Sequence, residues 1–162
     1  MSDVFDWAIE VVLRHEVGYR QSHHNPEDES QFGLSKRLYP TLDIHQLSRE
    51  QAVEIYRRDW WHAYGYSQIK DIMLATKLLD LSVQLGAGTA HRIIQRALRA
   101  SGFGVVEDGV LGAKTLKAVN QTMPSSLLAA LRAEAAGYCR WLAQRCPELE
   151  QNLEGWLKRA YA

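Results

Sequence analysis

The chain has 162 residues, 46% of them hydrophobic, with 19 Lys and Arg against 19 Asp and Glu. The length suits one compact domain, and the apolar content can build a core without disulfides or metal. A formal net charge of zero excludes the basic surface that selects nucleic acid, so any anionic polymer must be held by a local patch, or by hydrogen bonds and stacking in a cleft.

The segment Met1-Ser2-Asp3-Val4-Phe5-Asp6 has no basic region and no long apolar stretch. No signal peptide is visible and no run reaches transmembrane length, so synthesis in the cytoplasm without stable membrane insertion is expected. Asp3 or Asp6 can cap a first helix, whose apolar positions Phe5, Ala8, Ile9, Val12 and Leu13 follow helical spacing to near Gly18. Residues 20 to 31, RQSHHNPEDESQ, have almost no apolar content and read as a loop. Ser48-Arg49-Glu50-Gln51 is a capping box before a second helix with Ala52, Val53, Ile55 and Tyr56 on its apolar stripe.

The stretch from Asp71 to Leu85 is apolar nearly all round, the mark of a buried central helix. Gly86-Ala87-Gly88 breaks it, and a further helix follows from Thr89 to Ala100. Asp108-Gly109 reads as a turn, Lys114 to Gln121 as a short helix, and Pro124 opens a long helix to about Arg145. Pro147 starts the last helix. Only Gly104-Val105-Val106 has β character, so the class is all-α with at most a small β-hairpin. Cys139 and Cys146 share a helical face two turns apart, too far for a disulfide, and read as half-buried thiols.

Most charges fit solvated helix faces; Glu16 is the exception. It sits where an apolar-striped helix runs out, before a glycine and a long polar loop. A carboxyl there can be half-buried against the helix and open to a cleft, which favours the protonated form that a general acid delivers. Position alone fits a surface Glu in a last helical turn as well. In HHNPEDESQ, His23 and His24 are adjacent and lack a nearby Cys or an HExxH motif, so no metal or cofactor is expected. Glu27, Asp28 and Glu29 read either as a solvated acidic loop or as one wall of a cleft. Trp60, Trp61, Tyr64 and Tyr66 exceed what one helix face buries, and fit an aromatic core corner or rings that stack on sugars.

The run Arg14-His15-Glu16-Val17-Gly18-Tyr19, then Asn25-Pro26 and Ser30-Gln31-Phe32-Gly33-Leu34-Ser35, resembles the N-terminal signature of the glycoside hydrolase family 108 N-acetylmuramidases. That signature is written H-E-G-G-Y, an Asp-Pro-Gly-Gly loop, then T-N-x-G-I. The resemblance continues through Leu47 to Ala52 and Ile55 to Trp61, and through Asp80 to Gly88, which is similar to D-x-x-V-N-x-G-x-G. Gln95 to Leu98 and Asp108 to Thr115 resemble the peptidoglycan-binding segment that usually follows, with Ala113 in place of a Pro in D-G-x-x-G-P-K-T.

The resemblance implies a lysozyme-like fold, with residues 1–86 as the catalytic part and 87–162 as a helical peptidoglycan-binding part, packed as one unit. It implies cleavage of the MurNAc-GlcNAc strand with Glu16 as general acid; the chemistry of the loop itself favours Ser30 with Gln31 positioning the water. Tyr19, Asn25, Asp28, Phe32, Gly33, Trp60, Trp61 and Tyr64 are the expected substrate-binding residues. Some relatives are secretion activators or phage endolysins. That implies holin or secretion machinery as partners, and action in the periplasm or cell wall after export or holin release.

Two departures stand out. Val17 replaces the first glycine after the acid. Asn25 stands at the loop aspartate, with Glu27 and Asp28 at its two glycines. An amide has no usable basicity. A shifted acid such as Asp28, inversion with water held by Ser30 and Gln31, or assistance from the substrate acetamido group (a lytic transglycosylase) remain as mechanisms. The alternative is a catalytically weak or inactive peptidoglycan-binding or secretion-accessory protein.

Overall fold

A computed structural model describes residues 3–16, 18–21 and 25–162. The expectations on Val17, His23 and His24 lie outside the described residues. Backbone contacts divide the chain into two units, Met1–Ser67 and Gln68–Ala162.

In the first unit, α1 spans Val4–His15 and buries Phe5, Ala8, Ile9 and Val12, the i, i+3, i+4, i+7 stripe of an amphipathic helix. Asp3 is the N-cap, and its backbone N–H donates to Asp6 Oδ2 at 3.1 Å. Arg57 ties this end down, donating to Asp3 at 2.8 Å and to Asp6 at 2.7 Å, with its guanidinium 4.3 Å from the centre of the Phe5 ring. The helix stops at His15, short of the expected Gly18, and Glu16 is its C-cap.

The segment expected as a loop, residues 20 to 31, instead contributes to a small sheet of two-residue strands: β1 Tyr19–Arg20 and β2 Ser30–Gln31 at its two ends, and β3 Leu34–Ser35 just beyond it. They form one antiparallel sheet in the order β1-β2-β3. Gly104-Val105-Val106, the one segment given β character, pairs with nothing as a strand among the described residues. Both corrections have one cause. Two-residue strands show no alternation, so their signal is the turn between them, not their composition. Phe32 and Gly33 sit at φ +52° and +80°, the two positive values that a type I′ hairpin turn needs. Glycine takes this conformation freely, but for phenylalanine it costs about 1–3 kcal/mol. The hydroxyl of Tyr56, fully buried, donates to the Phe32 carbonyl at 2.9 Å and holds the tip in that conformation.

Helix α2, Arg49–Ile55, begins at the expected capping box: Gln51 N donates to Ser48 Oγ at 3.2 Å and Ser48 N to Gln51 Oε1 at 2.9 Å. It continues as a π-helical stretch, Tyr56–His62, that buries Tyr56, Trp60 and Trp61. Edge-to-face contacts of Trp61 with Phe5 (5.6 Å between ring centres) and Tyr66 (6.4 Å) build the aromatic core of this unit.

The second unit is helical throughout: α3 Ile72–Leu85, α4 Ala87–Ala100, α5 Ala113–Gln121, α6 Pro124–Arg145 and α7 Leu153–Tyr161, with a 3-10 stretch Pro147–Asn152 before α7. Asp71 caps α3, accepting from Leu74 N at 2.9 Å, and the helix is buried continuously from Leu74 to Ser82. α6 packs on α3, α4, α5 and α7. Cys139 is buried and Cys146 partly so, both as free thiols. Burial pushes the Cys139 thiol up, so it behaves as an apolar core residue.

Two polar knots hold this unit. Gln95, fully buried on α4, donates to Asp108 Oδ1 at 2.9 Å and to the Val110 carbonyl at 3.0 Å, and accepts from Gly109 N at 2.9 Å. Gly109 has φ +78°, and a Cβ there would stand 3.0 Å from the Gly88 carbonyl. The Asp108-Gly109 turn is thus a latch of loop to helix.

In the second knot, Arg159 of α7 donates to both carboxylate oxygens of Asp80 on α3, at 2.9 to 3.2 Å, and its carbonyl accepts from Lys77. Burial lowers the Lys77 ammonium to about 8, against 10.5 for a free lysine. Below pH 8 the folded and unfolded chains both carry that proton. From pH 8 towards 10.5 the folded state gives it up while the unfolded state keeps it, so stability rises with pH. Between pH 7 and 10 the wild type should gain roughly 2 kcal/mol relative to Lys77→Met in denaturant unfolding. A constant difference across that range counts against a charged, buried Lys77.

Candidate active site

Glu16 ends α1 with φ −94° and ψ 85°, its N–H bonded to the Val12 carbonyl at 3.0 Å and its residue partly exposed. Helix geometry therefore fixes its backbone. β1 starts three residues on, a stretch that spans at most roughly 11 Å. The acid and the small sheet are thus tied closely together by the chain itself.

The register sorts the sheet's side chains. Tyr19 pairs with Gln31 and Gln31 with Leu34; Arg20 pairs with Ser30 and Ser30 with Ser35. Directly opposed residues share a face and neighbours along a strand take opposite faces. Tyr19, Gln31 and the buried Leu34 therefore line one face, and Arg20, Ser30 and Ser35 the other. Ser30 and Gln31, expected to hold one water together, point apart. The Gln31 amide nitrogen donates to the Leu47 carbonyl at 3.0 Å, which moors the sheet to the segment before α2. Period-two alternation was available in the sequence, but the strand that imposes it was not legible.

Tyr19 donates its hydroxyl to Glu29 Oε1 at 2.6 Å and meets His45 edge-on at 5.2 Å. The hydrogen bond to Glu29 holds the Tyr19 phenol above its ordinary range, so it stays a donor. Asn25 caps the 3-10 turn Pro26–Asp28, its Oδ1 accepting from Glu27 N at 3.0 Å. Asp28 is paired with Arg37 at 2.7 Å, with both side chains about half exposed. An exposed pair of this kind contributes about 0–1 kcal/mol and opens readily. Glu29, read with its neighbours as an acidic loop or cleft wall, is built in: its carboxylate takes Tyr19 and its carbonyl takes Lys36 N at 2.8 Å.

The aromatic segment divides. Trp60 and Trp61 are 6% and 4% exposed, so the structure makes them core, not open stacking platforms. Trp60 Nε1 donates to Tyr39 at 3.1 Å, and that hydroxyl donates to Asp59 at 3.2 Å. Tyr64, 38% exposed and packed against Trp60 at 5.9 Å, is the ring of this group that presents a face. Two supporting residues escaped the sequence reading as site residues. Tyr56 reaches the hairpin tip from 24 positions away, and Arg37 meets Asp28 across a fold of the chain. Neither spacing carries a sequence signal. No cluster of three or more His, Cys, Asp or Glu suited to a metal occurs among the described residues.

The ordered elements around Glu16 correspond to a known group. Residues 9–86 match the family described as Glycosyl hydrolase 108. This N-terminal segment is thus similar to the glycosyl hydrolase 108 family. Residues 89–161 match the family described as Predicted Peptidoglycan domain. The solved structure titled "Structure of Brucella abortus SagA" is similar at a TM-score of 0.76, covering 96% of this chain and 88% of that one at 22% identity, a likeness of fold. No functionally curated protein matches the sequence. The chain is mostly helical and lysozyme-like in fold, and its two segments are similar to a glycosyl hydrolase family and to a predicted peptidoglycan domain. The family boundary follows α3 whereas the contact boundary precedes it, so α3 continues the hydrolase segment in sequence and packs with the second unit. No helix among the described residues is long and apolar enough to cross a membrane.

Proposed function

We propose that this protein hydrolyses the glycan strand of peptidoglycan at the MurNAc-GlcNAc linkage, with Glu16 as general acid. The observation that carries the reading is Glu16 at the C-terminal cap of α1, inside the segment that matches the hydrolase family. Glycoside hydrolysis protonates the leaving oxygen and brings water, or a carboxylate, to the anomeric carbon. Glu16 supplies the proton. Ser30, on the sheet face away from Gln31, orients the water through its hydroxyl. Asn25 stabilises the loop as a turn cap and takes no proton. Asp28 becomes available only when the exposed pair with Arg37 opens.

Export or holin release would bring the protein to the wall, where Tyr19, Phe32, Gly33 and Tyr64 contribute to the substrate surface. The discriminating experiment is mass analysis of the fragments released from purified sacculi. Reducing MurNAc ends support hydrolysis. Anhydro ends, lighter by one water, would make it a transglycosylase, and no release would leave a wall-binding protein. A second variant tests the departure in the loop. Asn25→Asp restores a carboxylate and should raise the rate of wall cleavage about tenfold or more, within the range of a positioned acid-base group. An unchanged rate would mean that the mechanism does not use that position.

A further inference from the structure

Helix α6 carries Gly137 near the middle of its 22 residues, where glycine is a poor helix former. Packing does not require it: a Cβ at that position would meet nothing within 4 Å. The missing side chain opens the floor of a cavity of about 370 Å³ lined by Arg96 of α4 and by Glu134, Gly137, Tyr138 and Trp141 of α6. That volume is in the range of small-ligand sites. Residues 134, 137, 138 and 141 follow i, i+3, i+4, i+7 spacing and so share one helix face.

The ring at the edge of this groove is held but not covered. Trp141 is 47% exposed. Tyr138 packs against it at 5.6 Å between ring centres and 35° between planes, and the Arg145 guanidinium lies 5.2 Å from its centre. Arg96 binds Glu107 through Nε at 2.7 Å, which leaves its terminal nitrogens as donors, and Glu134 has no polar partner among the described residues. A flat ring beside one carboxylate and one guanidinium suits a neutral polar ligand better than a polyanion. The C–H face of a pyranose packs on an indole. Its hydroxyl and acetamido N–H groups donate to a carboxylate, and its carbonyl accepts from a guanidinium.

We propose that this α4–α6 groove is a carbohydrate subsite that takes one N-acetylated amino sugar of a peptidoglycan strand, stacked on Trp141. The proposal rests on peptidoglycan being the partner, and it places a point of attachment within the second unit, apart from the chemistry of Glu16. The test uses the full chain carrying Glu16→Gln, so that sacculi are bound without being cut, and measures co-sedimentation with purified sacculi. Trp141→Ala and Gly137→Leu should each weaken retention about tenfold, while Trp141→Phe keeps most of it. Gly137→Leu should also leave the thermal midpoint unchanged or raise it, since leucine suits a helix better, which separates a filled groove from a damaged fold. If the parent is retained and both variants are retained equally, the groove is not the subsite. The same holds if Trp141→Ala abolishes a concentration-dependent self-association of the parent, which would make the face a contact between copies. No retention of the parent would overturn the peptidoglycan reading itself, and this proposal with it.

Discussion

Glu16→Gln should lower the release of reducing ends from sacculi by about 10²–10⁴-fold, the usual contribution of a positioned acid-base group. The fold should be unaffected. The substitution keeps the shape of the side chain, the residue is partly exposed, and its fixed backbone bond, from Glu16 N to the Val12 carbonyl, does not involve the side chain. Circular dichroism and the thermal midpoint should therefore match the wild type. A variant that clears peptidoglycan within a few-fold of wild type removes Glu16 from the mechanism. The measurement matters because the usual partner is altered. Asn25 is engaged as a turn cap and Asp28 is engaged with Arg37.

The largest effect on stability is expected at Arg159. Asp80 is 2% exposed, and Arg159 grips both of its oxygens from α7. Arg159→Met leaves a buried carboxylate without its forked partner. That should cost about 3–5 kcal/mol, because the cost of holding the charge out of water stays while the compensation goes. For a chain of this size the thermal midpoint should fall by on the order of 10 °C. Replacing both residues, Asp80→Leu with Arg159→Met, should recover most of the loss, since two apolar groups of similar volume need no partner. A loss below about 1 kcal/mol in the single variant would assign the balancing charge to Lys77, one turn away on the same helix. The pair links an early helix of the unit to the last one, so its loss should appear as one cooperative transition.

The helices were legible in the sequence because each carries its own signal. The Ser48 capping box, the stripe of α1, the proline that opens α6 and the apolar run of α3 are local, and local rules describe them. The apolar stripe of the first helix placed Glu16 near a helix end, and the structure caps α1 on that residue. Tertiary structure decided what has no local signal. Strands of two residues are specified by a turn and by a partner, so the sheet over residues 19–35 and the opposite facing of Ser30 and Gln31 could not be read. Burial of Trp60 and Trp61 follows from a π-helical stretch that turns both rings inward, a register that composition does not encode. The tie from Tyr56 to the Phe32 carbonyl, the hold of Arg159 on Asp80 and the latch at Gln95 join residues far apart in the chain. They depend on which surfaces meet after the helices pack, a matter of geometry at a distance.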